Sequence, residues 1–191
     1  MNLLNIFKTD KSKIKGELTF KVKDKWGRTK QLWKENWLGK LIRKTFGVDL
    51  QGVFFLGQWT DGLVFNNLVV NAGLAGMASR CNGSGGEAAF TYLAVGTGTT
   101  APAAGNTALE LEITDSGLAR AAATVSRVTT TVTNDTAQLD HTWNVTGTKA
   151  VTEAGALNAG TGGTLLGRQT FSAVNVANGD TLQVIYKFQM S

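Results

Sequence analysis

One cysteine, one proline and one histidine occur in 191 residues, and each scarcity excludes something. Cys81 has no partner within the chain, so no internal disulfide framework is possible, and a reducing site of synthesis fits. One histidine and one cysteine cannot build a zinc centre in a single chain, and no calcium loop of alternating acids occurs. His141 is the only base for a Ser-His-Asp arrangement. Its neighbour Asp140 would point to the opposite face of a strand and could not orient it. His141 is therefore expected to be a strand residue beside Trp143. Cys81 falls near the end of a short helix, where the dipole does not favour a thiolate, and is expected to be a buried structural cysteine. No apolar run reaches the roughly 18–20 residues of a membrane span. The segment Met1 to Lys8 is too short and polar for a signal peptide. Sequons at Asn82, Asn134 and Asn144 matter only in a secretory pathway, to which nothing else points.

What is present points to β-structure. Hydrophobic residues make up 42% of the chain and glycines number 23, enough for a core and for short strands with tight turns. Alternation predicts strands over Leu18 to Lys23, around Ala123 to Thr130, over Leu139 to Val145, and over Leu182 to Met190. Thr91 to Val95 is a further strand-like run. Turns are expected at Asp24 to Arg28 and at Asn178-Gly179-Asp180. Trp37, Leu38, Leu41, Ile42 and Phe46 fall at helical spacing, with Lys40, Arg43 and Lys44 on the other face and Gly47 as a cap. That predicts an amphipathic helix over about 35–46. A second short helix should follow Asn67 to Gly73, with Leu74, Met77, Ala78 and Cys81 on one side. Val53 to Leu56 and Gly62 to Phe65, with Trp59 between them, suggest a hairpin or a contact loop. The expected fold is mainly β: an antiparallel β-sandwich over 67–191 with short helices, preceded by a basic, Trp-rich α/β extension over 1–66. Removal of residues 1–45 is expected to leave the β body foldable and to block assembly.

Charge is unevenly placed. Residues 1–44 hold 13 basic against 4 acidic side chains, while the remainder is mildly acidic, and the whole chain carries +5. Lys21, Lys23, Lys25, Arg28, Lys30, Lys40, Arg43 and Lys44 form a candidate basic partner surface. Phosphate backbone, an acidic protein, a neighbouring subunit or plain solvent could face it. Tryptophan and arginine are common interface anchors. Trp26, Trp33, Trp37, Leu41, Phe46, Phe54, Phe55 and Trp59 are accordingly the candidate assembly interface. Trp59 with Phe54 or Phe55 would also serve a carbohydrate- or receptor-binding module.

Two further constellations resemble chemical sites. Gly96-Thr97-Gly98-Thr99-Thr100-Ala101 matches the dinucleotide pattern G-x-G-x-x-A. Pro102-Ala103-Ala104-Gly105-Asn106 follows, where a long helix would be needed to aim its amides at phosphates. A structural turn is the better reading, with Gly96 and Gly98 supplying unusual backbone conformations and Pro102 stiffening the exit. Glu110, Glu112 and Asp115 form the densest acidic cluster. A glycosidase would need a second cluster across a cleft, so a solvated strand edge is expected.

Three ordered pieces carry a resemblance. They are Asn67-Leu68-Val69-Val70-Asn71-Ala72-Gly73-Leu74; Tyr92 to Pro102 with Asn106 to Glu110 and Arg120; and Glu153 to Arg168 leading to Val176-Ala177-Asn178-Gly179-Asp180-Thr181-Leu182. Over 67–191 the chain resembles structural proteins of tailed-bacteriophage virions, of the kind found at tails, necks and fibre attachments. The resemblance implies a non-enzymatic, oligomeric virion component made in the host cytoplasm. Its partners would be other virion proteins and copies of itself, with no catalytic residues, no cofactor, no metal and no small-molecule substrate. Capsid decoration is a close variant. A nucleic-acid role through the basic head is a more distant one.

Overall fold

The computed structural model describes residues 14–47 and 51–190. Eleven strands and two helices occur in the order β1 (Ile14–Lys23), β2 (Leu32–Glu35), α1 (Trp37–Phe46), β3 (Gly57–Thr60), β4 (Leu63–Val69), α2 (Asn71–Asn82), β5 (Tyr92–Gly96), β6 (Ala121–Ala122), β7 (Thr124–Val128), β8 (Thr136–Asn144), β9 (Lys149–Leu157), β10 (Leu165–Val176) and β11 (Thr181–Met190). Nine strands form one antiparallel sheet in the order β6-β5-β9-β10-β4-β1-β11-β8-β7, and β2 pairs with β3 in a separate ribbon. The two edges of that order, β6 and β7, are parts of one run of chain separated only by Ala123, whose amide donates to Thr91 O at 2.8 Å. The sheet therefore curls almost shut around the main core, and Val70, Ala94, Leu109, Leu157 and Leu165 form a second, smaller cluster.

This geometry bears out the mainly β, antiparallel class and corrects the two-sheet sandwich. It also corrects the separable extension. β1 lies between β4 and β11, in register from Ile14↔Met190 to Lys23↔Thr181 and from Gly16↔Asn67 to Phe20↔Leu63. The 66/67 boundary falls inside β4. The physical reason lies in the alternation of β1: Leu18, Phe20 and Val22 point inward and are fully buried, while Lys21 and Lys23 on the other face stay in solvent. A strand with one sealed face has to sit in the sheet. From β11, Leu182, Val184, Tyr186 and Phe188 fill the same interior. Phe20 meets Phe171 at 4.4 Å, and Tyr186 stacks on Phe188 at 5.0 Å. Each such side chain contributes about 1.5–3 kcal/mol of burial. His141 stands edge-on to Trp143 at 4.5 Å, as expected, and burial pushes its imidazole pKa down.

α2 departs from the expected face. Its buried residues are Gly73 and Gly76, while Leu74 and Cys81 are exposed. The helix runs so close to β10 that a Cβ on Gly73 would overlap the Leu166 backbone. Glycine, not the larger apolar residues, makes the contact. The strand at 123–130 is shorter than expected and exposed along β7. Gly62 to Phe65 does not form a hairpin with β3: β4 pairs with β1 and β10, and β3 with β2.

The loop after β5 is organised by a buried ion pair. Glu153 on β9 and Arg168 on β10 are 0% and 2% exposed, and Arg168 Nε donates to Glu153 Oε2 at 2.7 Å. Three backbone amides also donate to that carboxylate: Gly98 (3.1 Å), Leu111 (2.7 Å) and Glu110 (3.0 Å). The Arg168 guanidinium reaches Thr100 O (3.1 Å), Asn106 Oδ1 (3.2 Å) and Glu110 Oε2 (3.3 Å). Glu110 in turn accepts from the Thr100 hydroxyl at 2.7 Å and the Thr100 amide at 2.8 Å, which holds its carboxyl below the ordinary range.

The G-x-G-x-x-A stretch is thus clamped onto a buried carboxylate. Neither Gly96 nor Gly98 has a positive φ. Their role is close approach, since a Cβ on Gly98 would lie 2.5 Å from Glu153 Oε1 and 2.6 Å from Glu110 Cβ. Gly98→Ala is expected to cost about 1–3 kcal/mol in urea denaturation. A cost near zero would show that the loop yields freely. Of the other acids, Glu112 is gripped by Arg120 at 2.9 and 2.6 Å, while Asp115 meets Lys149 at 2.8 Å and stays largely in solvent.

Asp135 gives the fold an acid-sensitive turn. Its carboxylate accepts from the amides of Thr130 and Thr131 (2.9 Å each) and Val132 (3.0 Å). The Val132 amide bond above all holds its carboxyl far below the usual range. A folded pKa below the unfolded one gives stability that is present above about pH 4 and lost as pH falls through the folded value. Asp135→Asn is expected to lower the melting temperature at neutral pH, by an amount that shrinks in strong acid. An equal difference at both pH values would contradict this.

Candidate assembly surface

The expected interface residues gather on α1, the ribbon and the turns beside them. Asn36 caps α1: its Oδ1 accepts from the Gly39 amide at 2.9 Å and its Nδ2 donates to Phe55 O at 2.8 Å. Gly47 ends the helix at φ 66°, with its amide on Arg43 O at 2.8 Å. Gly39 is the one buried residue of α1, and a Cβ there would strike Leu56 O. Arg43 holds both oxygens of the buried Glu35 carboxylate, at 3.0 and 2.9 Å. These contacts fix the inner side of the helix and present Trp37 (75% exposed), Leu41, Lys40 and Lys44 to solvent. Phe46 (71%) lies at the helix end, and Phe55 (68%) lies in a 3-10 turn, Phe54–Leu56, just before β3.

Trp59 is half-exposed and meets Trp33 edge-on at 5.3 Å across the β2–β3 ribbon. Trp33 is the correction: at 4% exposure it belongs to the packing of the ribbon and is not available to a partner. The side chain of Phe54 lies outside the described residues, as do residues 1–13 of the basic head. Trp26 is exposed on the turn between β1 and β2, with Lys25 Nζ 4.4 Å and the Arg28 guanidinium 4.8 Å from its ring.

The basic residues divide in two. Arg28 pairs with Asp24 at 2.8 Å, Lys30 with the buried Asp180 at 2.8 Å, and Arg43 with Glu35. Lys30 and Arg43 thus brace the chain against buried acids, whereas Arg28, 72% exposed beside Trp26, stays on the candidate partner surface. Lys21, Lys23, Lys25, Lys40 and Lys44 are exposed and meet no carboxylate among the described residues. Lys34 joins them and was missed by the sequence reading. It is the one exposed position in the burial pattern of β2, between Trp33 and Glu35.

Among the described residues, no three His, Cys, Asp or Glu side chains are grouped to hold a metal ion. No helix among them is long and apolar enough to cross a membrane. Compared with protein-family models, with curated proteins and with solved structures, the chain has no match.

Proposed function

We propose that the protein is a non-enzymatic structural component of a tailed-bacteriophage virion, assembling as an oligomer at the tail, neck or fibre attachment through protein–protein contacts. Capsid decoration is the close variant. The observation that carries this reading is the exposed apolar set, Trp37, Leu41, Phe46, Phe55 and Trp59, mounted on a tightly braced β body. Apolar area of this kind left in water is stabilised once a neighbour covers it. A second support is that the phage-like segments converge in space. Thr100, Asn106 and Glu110 from one piece all bind Arg168 from another, which is itself paired with Glu153. Those segments therefore build an internal brace, which suits a family defined by architecture and not by a reaction.

Mass spectrometry of purified particles is the test. The protein should be found at a fixed copy number, and its absence from particles would end the reading. Trp59 and Phe55 keep a receptor- or carbohydrate-binding role as the alternative, because both are exposed. Glycan binding abolished by Trp59→Ala would favour it.

A further inference from the structure

We infer that the α1–ribbon surface docks an acidic segment of a different protein, anchored by apolar side chains, and does not dock a second copy of this chain. The inference deepens the assembly reading by naming the chemistry of the partner. It stands on the distribution of charge partners.

Twelve of the fourteen carboxylates belong to described residues, and each of them has an internal donor. Asp24, Glu35, Glu112, Asp115, Glu153 and Asp180 are held by arginine or lysine at 2.6–2.9 Å. The others are held by amides, hydroxyls or more distant cations, as Asp135 is by its turn and Asp140 by Gln183 at 3.0 Å. Lys21, Lys23, Lys25, Lys34, Lys40 and Lys44 have no such partner among the described residues. Among the described residues, a second copy would bring only carboxylates that already have a donor and would have to share it. A chain with free acids is the better complement to these lysines.

The apolar residues decide the rest of the partner's chemistry. Lys40 and Lys44 share the outward side of α1 with Trp37 and Leu41. An acidic segment carrying aliphatic or aromatic residues satisfies both at once. Nucleic acid fits less well. The ring of Trp26 is already attended by two cations and Trp59 leans on Trp33, so neither offers a free pair of faces for stacked bases. Leu41 has no use for a base.

The test places the photo-crosslinker p-benzoylphenylalanine at Leu41 in the full chain, expressed in the cells that make it. The same group at Val125, exposed on β7, is the control. Light should join Leu41→p-benzoylphenylalanine to a peptide of another protein in which carboxylates outnumber cations and apolar residues are present. Lys40→Glu/Lys44→Glu should lower the yield about ten-fold with an unchanged melting temperature. Capture of this chain's own peptide, of a nucleotide or of a lipid would overturn the inference. So would a neutral or basic peptide, yield indifferent to the charge reversal, or yield no higher than at Val125. The outcome separates from that of the virion reading. Capture of an acidic peptide by a protein absent from particles would sink the virion assignment alone. A protein present in particles with no capture above Val125 would sink the docking surface alone.

Discussion

Arg168→Met is expected to destabilise the protein by about 3–5 kcal/mol, because it leaves the Glu153 carboxylate charged and buried without its cation. That is a large share of the roughly 5–15 kcal/mol that holds a domain folded. Buried ion pairs elsewhere are often replaced by apolar residues at little cost, provided both partners go together. Here the second substitution should give no relief. Glu153 also accepts from the amides of Gly98, Glu110 and Leu111, and removing it leaves the buried Gly98 donor without an acceptor, at about 1–3 kcal/mol, and frees the two part-buried ones. The double variant Glu153→Met/Arg168→Met should therefore be less stable than Arg168→Met alone. Urea unfolding followed by circular dichroism measures both. A double variant as stable as the wild type would mean that the carboxylate does not anchor the loop over 97–111.

Deletion of residues 1–45 is expected to abolish folding. The reading from composition alone made this region a detachable assembly arm. The structure puts Leu18, Phe20 and Val22 in the interior and leaves β4 and β11 without a common neighbour once β1 is gone. Removing a central strand exposes apolar side chains on both flanks and leaves two ladders unpaired. The truncated protein should be insoluble, or should lack near-ultraviolet dichroism and cooperative unfolding. The gentler variant Phe20→Ala should fold and lose about 3–5 kcal/mol. A truncated protein that unfolds cooperatively with native dichroism would restore the detachable arm.

These two cases show where the sequence is legible. β1 and β11 announce themselves, because one face of each is sealed in the core and the other is wet, so alternation appears directly in the residues. α1 is legible in its extent and its Gly47 cap but not in its faces: Trp37, Leu41 and Phe46, expected opposite Lys40 and Lys44, are exposed with them. What composition could not show is which strands are neighbours. Basic charge in residues 1–44 looked like a separate region, yet the lysines of β1 are simply the outer face of a core strand. The face of α2 was misjudged because proximity to β10 selects glycine where periodicity favours leucine. Trp33 looks like its exposed neighbours in composition, yet it is buried within the ribbon against Gly57 and Trp59. The Glu153–Arg168 brace had a signal that could have been read. One acid stands alone in Val151 to Leu157 and one arginine follows Leu165-Leu166-Gly167. Isolated opposite charges inside apolar strands need each other.

The pairing of β1 with β11 sets the timing of synthesis. The tenth residue of β1, Lys23, has left the ribosome long before Thr181, its partner, exists. At about 5–20 residues per second the wait is on the order of ten seconds. Through that interval β1 has only β4 to pair with, its β11 edge stays open, and the curled sheet cannot close. Lys21 and Lys23, alternating with Phe20 and Val22, place like charges where two waiting chains would otherwise pair. The same lysines that edge the outer surface of the finished molecule thus serve first as guards on a nascent one.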